Sequence, residues 1–175
     1  MVDNWSRLIT TRTGFRFTVR PVSPADESGL ADFFAHVSRD DLRFRFLSGL
    51  KVVGHDRIVA LAAVDHQATE NFLAFDEENG VMIASGMLAC DPSLSRGEVA
   101  IAIHEDYKHR GVSWELLAHI ARFAEAKGVQ VLESIESSDN HAAIELEREM
   151  GFTAVPYPGD TSLMLVSRKL GLPAP

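Results

Sequence analysis

The sequence predicts a single mixed α/β domain, and three features carry that prediction. Helix-period and strand-period segments succeed one another with no linker, repeat or low-complexity stretch between them. Three short strand segments follow around tight turns over 72–104, the pattern of an antiparallel meander. A strand, a glycine-bearing turn and a long amphipathic helix then run over 97–127. The length of 175 residues fits one domain with a real core, and 46% hydrophobic residues argue against disorder.

Taken in order, residues 1–14 read as a polar lead-in broken at Gly14. Phe15 to Arg20 alternates apolar and polar side chains, a strand that Pro21 ends. Ser23 and Pro24 mark a helix start, with Leu30, Phe33, Phe34 and Val37 as its apolar stripe. Ser38 opens a second helix carrying Leu42, Phe44, Phe46 and Leu47, and His55–Val64 reads as a third. Phe72–Phe75, Val81–Ala89 and Gly97–His104 form the meander, with Asn79-Gly80 as a turn signal. The long helix carries Trp114, Leu117, Ala118, Ala121 and Ala124 and stops at Gly128. A strand over Val129–Ile135 follows. Asp139 or Asn140 then caps a helix that ends at Gly151. Phe152–Val155 and Ser162–Val166 read as a closing hairpin. The domain therefore spans 15–170, with 171–175 as a tail.

Composition excludes several function classes. A net charge of −8 argues against general nucleic-acid binding, which needs Lys and Arg to displace counterions, and leaves a cationic substrate open. The one cysteine, Cys90, permits no internal disulfide and lies in an apolar stretch, so a packed thiol is expected rather than a nucleophile. A reducing cytoplasm is the expected compartment. No secretory leader and no membrane span is expected, because the N-terminus has no basic and apolar regions and no run of 18 apolar residues occurs. The seven histidines show no metal-ligand spacing, so no metal is expected.

The strand–turn–helix is the most informative unit. Along Gly97–His104, Val99, Ile101 and Ile103 point one way, toward the core. Glu98, Ala100, Ala102 and His104 point the other way, onto a face whose alanines leave room beside one carboxylate. The turn Lys108-His109-Arg110-Gly111-Val112-Ser113 precedes the helix at Trp114. Helix-start amides lack internal partners and sit at the positive end of the helix dipole. Gly111 permits close approach, Lys108 and Arg110 add charge, and Ser113 adds a hydroxyl. These residues suit a pyrophosphate. Alone they equally describe an exposed basic turn.

The elements after the turn decide between those readings. Lys108, Gly111 and Ser113 at a helix start are followed by the 129–135 strand, by Asn140-His141-Ala142-Ala143, and by Met150-Gly151-Phe152. In order and spacing, over roughly 15–168, this resembles the GNAT superfamily of acyl-CoA-dependent N-acyltransferases. The strand end Arg20-Pro21 and the segment Ser38–Phe46 are similar to the GNAT domain of Pat-type bacterial protein lysine acetyltransferases. Those domains are often fused to a further module, for which these 175 residues leave no room. The resemblance implies a central mixed, mostly antiparallel sheet flanked by helices. It implies acetyl-CoA as co-substrate and a primary amine as acceptor, either a protein lysine or a small cationic amine. It also implies that Ile101, Ala102, Ile103, Lys108, His109, Arg110, Gly111, Val112, Ser113, Trp114 and Asn140 bind the cofactor. Homodimers occur in the superfamily.

Three turn positions depart from the family pattern. Lys108 replaces Gln or Arg, His109 a frequent Gly, and Ser113 a Gly or Ala. Lysine keeps the charge but lacks the planar fork of arginine. The resemblance assigns Glu98 as general base, since an amine must lose its proton to attack and a lysine titrates at about 10.4. The competing reading is a surface glutamate at a strand start. Backbone amides of 100–103 would stabilise the oxyanion. Asn140 serves either the cofactor or only its helix. His104 reads as a surface histidine at a strand end rather than a proton shuttle. Glu147 stands where many GNAT enzymes carry a tyrosine acid, so water is the expected donor to the thiolate. The alternatives to an active enzyme are a non-catalytic acyl-CoA-binding or sensing module and a partner domain that no longer binds CoA.

Overall fold

The computed structural model describes residues 4–171. Met1, Val2, Asp3 and all of the expected tail except Gly171 lie outside the described residues. Among the described residues no helix is long and apolar enough to cross a membrane.

Among the described residues eight strands form one sheet: β1 (Arg7–Thr10), β2 (Arg16–Pro21), β3 (Thr69–Asp76), β4 (Met82–Cys90), β5 (Arg96–Ile103), β6 (Val131–Ser137), β7 (Thr153–Tyr157) and β8 (Asp160–Lys169). Their spatial order is β1-β2-β3-β4-β5-β6-β8-β7. Every neighbouring pair is antiparallel except β5 and β6. Five helices flank it: α1 (Glu27–Ala35), α2 (Arg39–Phe46), α3 (His55–Ala62), α4 (Val112–Lys127) and α5 (His141–Glu149). The mixed, mostly antiparallel sheet with flanking helices is the architecture the sequence predicts.

Strand alternation divides the interior in two. Phe72, Ala74, Val99 and Ile103 pack with Leu116, Ile120 and Ile144 on the α4 and α5 side. Leu73 and Ala102 pack with Leu30, Phe33, Leu42 and Ile58 on the α1–α3 side. The alanine face of β5 is thus partly roofed by helices. Local chemistry sets the helix starts. The Asp26 carboxylate accepts from the Ser23 amide at 2.8 Å and from both Arg20 guanidinium nitrogens at 2.7 and 2.8 Å. That pair ties the end of β2 to the entry of α1, and the Arg20 contact holds the Asp26 carboxyl below its ordinary range. Ser38 Oγ caps α2 by accepting from the Asp41 amide at 3.1 Å. Gly111 (φ 85°) and Gly128 (φ 90°) bound α4 in the left-handed conformation that glycine adopts without strain.

Two expectations need correction. Residues 1–14 are more than a lead-in: Arg7–Thr10 forms β1, with Ile9 opposite Phe17 and buried. Trp5 packs edge-on against Phe123, and its carbonyl accepts from His119 Nε2 at 3.2 Å. A four-residue edge strand with one buried side chain leaves too little alternation to be read. His104 is not a surface residue. It is 6% exposed, its ring stacks on His36 at 4.9 Å, and its Nδ1 accepts from the Asp106 amide. Cys90 is half-buried, and desolvation pushes its thiol pKa up.

Candidate active site

β5 and β6 pair side by side at Arg96–Val131, Gly97–Leu132 and Glu98–Glu133. Beyond Glu98 they part, although both strands continue. A parallel pair that splays in this way leaves the backbone of Val99–Ile103 without a partner on its β6 side. The gap opens into a cleft of about 490 Å³. Its walls are Glu98–Ile103 of β5, Tyr107–His109 and Gly111–Trp114 of the turn, Ser134–Glu136 of β6, the start of α5, and Asp41, Phe44 and Arg45 of α2.

The predicted cofactor residues converge on this cleft. Ile101, Ala102, Ile103, Lys108, His109, Gly111, Val112, Ser113, Trp114 and Asn140 all line it, and so does Glu98. Arg110 is the exception. Its guanidinium lies over the Tyr107 ring at 4.8 Å and the Phe15 ring at 5.5 Å. Lys108 lines the cleft, but its Nζ is paired to Asp41 of α2 at 2.7 Å. Both basic side chains of the turn therefore have partners within the protein.

The turn's backbone compensates. His109 (φ 64°) and Gly111 (φ 85°) are both left-handed. Alternating hand turns successive amides toward one concave side, the geometry of an anion nest. The first intrahelical bond of α4 runs from the Glu115 amide to the Gly111 carbonyl, so the Val112, Ser113 and Trp114 amides have no helical acceptor. The left-handed backbone at 109 accounts for the glycine usual there; histidine is among the residues that tolerate it. A Cβ at Gly111 would meet the Thr11 side chain at 3.3 Å. Thr11 and its neighbour Arg12, whose guanidinium lies over the Trp114 ring at 5.2 Å, bring the β1–β2 turn to the rim of the site. Nothing in the sequence pattern announces either residue.

Glu98 shares its face with Glu133, the residue opposite it on β6. Desolvation raises the Glu98 pKa above the ordinary carboxylate range, Glu133 adds to that, and Arg45 opposes it. Glu133 is itself held by Arg96 at 2.8 Å. Arg45 is buried enough to lower its own pKa to about 10, and its Nε has no hydrogen-bond partner. Asn140 caps α5, its Oδ1 accepting from the Ala143 amide at 3.4 Å, and its Nδ2 donates to Glu136 at 3.3 Å. Helix cap and cleft wall are thus compatible roles. On the α5 side, Ser134 Oγ donates to the buried Glu147 carboxyl, which also contacts Glu136. Ser134, Glu136, Asp41 and Arg45 are cleft residues that sequence reasoning missed. Only Ser38–Phe46, quoted for its resemblance, hinted at the last two.

Comparison with known proteins agrees with this geometry. The acetyltransferase (GNAT) family model matches residues 35–152, more than half of the chain. An acetyltransferase of Pseudomonas aeruginosa is 25% identical over 165 residues, covering 93% of this chain and 88% of that protein. The GNAT domain of S. lividans PAT superimposes with a TM-score of 0.87 at 21% identity, over 95% of this chain and 97% of that one. The E. coli ribosomal-protein-S18-alanine N-acetyltransferase gives 0.68 at 17% identity, over 90% and 96%. The cAMP-binding acyltransferase of Mycobacterium smegmatis gives 0.64 at 21% identity, and its matched region is 47% of its length. At these identities the structural neighbours share the fold. The splayed parallel pair, the amide-lined turn and the family match lead to one assignment: the chain belongs to the GNAT acetyltransferase family.

Proposed function

We propose that this enzyme transfers the acetyl group of acetyl-CoA to a primary amine by direct attack, with Glu98 as general base. One observation carries the reading: Glu98 and the amide-lined turn at 108–114 face the same cleft. The turn amides would hold the pyrophosphate, and the unpaired β5 backbone would run beside the pantetheine arm. A β5 amide among 100–103 would accept the developing oxyanion. Asp41, Glu98, Glu136 and Asp139 outnumber Arg45 and Lys108 along the walls. That balance favours a cationic acceptor, whether a protein lysine or a small amine.

Two measurements test the reading. Acetyl-CoA at about 100 times its Kd should stabilise the fold by about 2.7 kcal/mol in a thermal-shift titration. Thiol release with acetyl-CoA and a panel of lysine peptides and small amines should then exceed the amine-free rate. Binding without amine-dependent release would instead identify a sensing module. No thermal shift would remove CoA from the reading.

Gly111→Val tests the turn. A β-branched residue in the left-handed region is strained by about 1–2 kcal/mol, and its side chain would press on Thr11. Relief requires moving the amides that face the cleft. Acetyl-CoA affinity is expected to fall at least about tenfold by calorimetric titration. Unchanged affinity would mean that these amides do not hold the pyrophosphate.

A further inference from the structure

We propose that the carboxyl pair Glu136–Glu147, hydrogen-bonded to Ser134, is the acid that protonates the departing CoA thiolate. The inference rests on the acetyl-transfer reading above and adds the proton donor to it.

The argument starts from where the two faces of the sheet lead. Gly97 and Leu132 are partners across β5 and β6, as are Glu98 and Glu133. Glu98 and Glu133 therefore share the α1–α3 face, and Leu132, Ser134 and Glu136 share the α4–α5 face. The splay joins the two faces through one cleft, which Glu98, Ser134, Glu136 and Glu147 all line. A base thus stands on one side of the opening and a carboxyl pair on the other. The second side is the one against which the turn and α4 sit. A thioester held by that turn would enter with its sulfur toward the pair and its carbonyl toward an amine beside Glu98.

The pair is built to hold a proton. Glu147 is 6% exposed, and its carboxyl meets both the Ser134 hydroxyl and Glu136. Burial beside a second carboxyl keeps the proton on Glu147, because ionising it would set two like charges side by side in a poorly solvated place. Burial and Glu136 raise the Glu147 pKa far above the ordinary carboxylate range, and only the Ser134 hydrogen bond opposes this. Among the described residues no ion pair relieves it: Arg148 on the same helix is exposed, and Arg168 of β8 lies along Gly151. The β8 partners of Ser134 and Glu136 are the apolar Val166 and Met164. Asn140 donates to Glu136, which favours leaving the proton on Glu147.

The step balances as follows. The ammonium first loses one proton through Glu98 to water; the neutral nitrogen's lone pair then forms the C–N bond while the carbonyl pair moves to oxygen, and Glu98 takes a second proton from that nitrogen. Collapse restores C=O and breaks C–S, and the bonding electrons leave on sulfur. The proton that Glu147 holds beside Glu136 moves to that sulfur and gives the free thiol. Glu98 then loses its proton to water and the pair regains one from water, leaving the amide and CoA as products.

Turnover against pH in three proteins tests the proposal. The unaltered enzyme should lose kcat as pH rises through the titration of the pair, because the acid form is then depleted. Glu147→Gln keeps the size of the side chain but carries no transferable proton. Its kcat should fall about 100-fold, with acetyl-CoA affinity retained and the alkaline limb gone. Glu136→Gln removes the like charge, so the alkaline limb should move to lower pH by about one unit or more. A purely structural role for Glu147 would not move that limb. Glu147→Gln with full turnover and an unchanged profile would overturn the proposal. So would an unmoved limb in Glu136→Gln, which also decides the matter alone should Glu147→Gln fail to fold. Amine-dependent release by the unaltered protein is measured first. If it is absent the acetyl-transfer reading falls with this one, whereas its presence beside a fully active Glu147→Gln refutes only the acid.

Discussion

Glu98→Gln is expected to lower amine-dependent acetyl transfer by about 10²–10⁴-fold, the range by which a positioned acid or base accelerates proton transfer. Acetyl-CoA binding should stay within about twofold of the unaltered protein. The separation follows from position. Glu98 lies where β5 and β6 last pair, on the α1–α3 face, whereas the turn amides belong to the start of α4. Glutamine keeps the shape of the wall and removes only the ability to take a proton. The pH dependence adds a second readout. Because desolvation and Glu133 raise the Glu98 pKa, activity should decline as pH falls through a value above the roughly 4.3 of an ordinary glutamate. Below that value the base is protonated and cannot act. Full turnover in Glu98→Gln, measured by thiol release alongside calorimetric binding, would remove Glu98 from the mechanism.

Phe72→Ala should destabilise the fold by about 3–5 kcal/mol, the usual penalty for emptying a fully buried aromatic site. Phe72 is 0% exposed in the central strand β3. Its ring meets His119 at 4.9 Å and 90° and Phe123 at 5.1 Å and 78°, both on α4. Edge-on aromatic contacts add to the area buried. Burial lowers the His119 pKa to about 4, so it packs as a neutral ring at neutral pH. The same cluster carries Trp5, and through it the strand that brings Thr11 and Arg12 to the site. The melting temperature should fall by roughly 6–20 °C for a domain of this size, followed by circular dichroism. A smaller loss would mean that α4 and β3 close over the space.

The legible parts of the protein were those where local pattern and local chemistry agree. Alternation along 97–104 separates the sides on which Val99 and Ala102 pack. The glycines at 111 and 128 mark both ends of α4, because only a left-handed residue closes the helix there without strain. The turn's position at a helix start was likewise readable, since cap chemistry is local. The use of its cations was not. Lys108, expected to face phosphate, lines the cleft while paired to Asp41, sixty-seven positions earlier in the chain. Arg110 lies over Phe15 and Tyr107, and Phe15 belongs to a distant segment.

Sequence by itself determined the succession of elements from β2 onward and the turn that precedes α4. Each depends on residues within a few positions of one another, where backbone periodicity and capping act. Tertiary structure alone decided that β5 and β6 part after Glu98, and hence that a cleft exists. It alone brought Arg12 to Trp114, buried His104, and set Glu147 against Ser134 and Glu136. Those outcomes depend on which strands become neighbours and on what is shut away from water. Glu147 would ionise freely in an extended chain; folding raises its pKa by burying it and by putting a second carboxyl beside it.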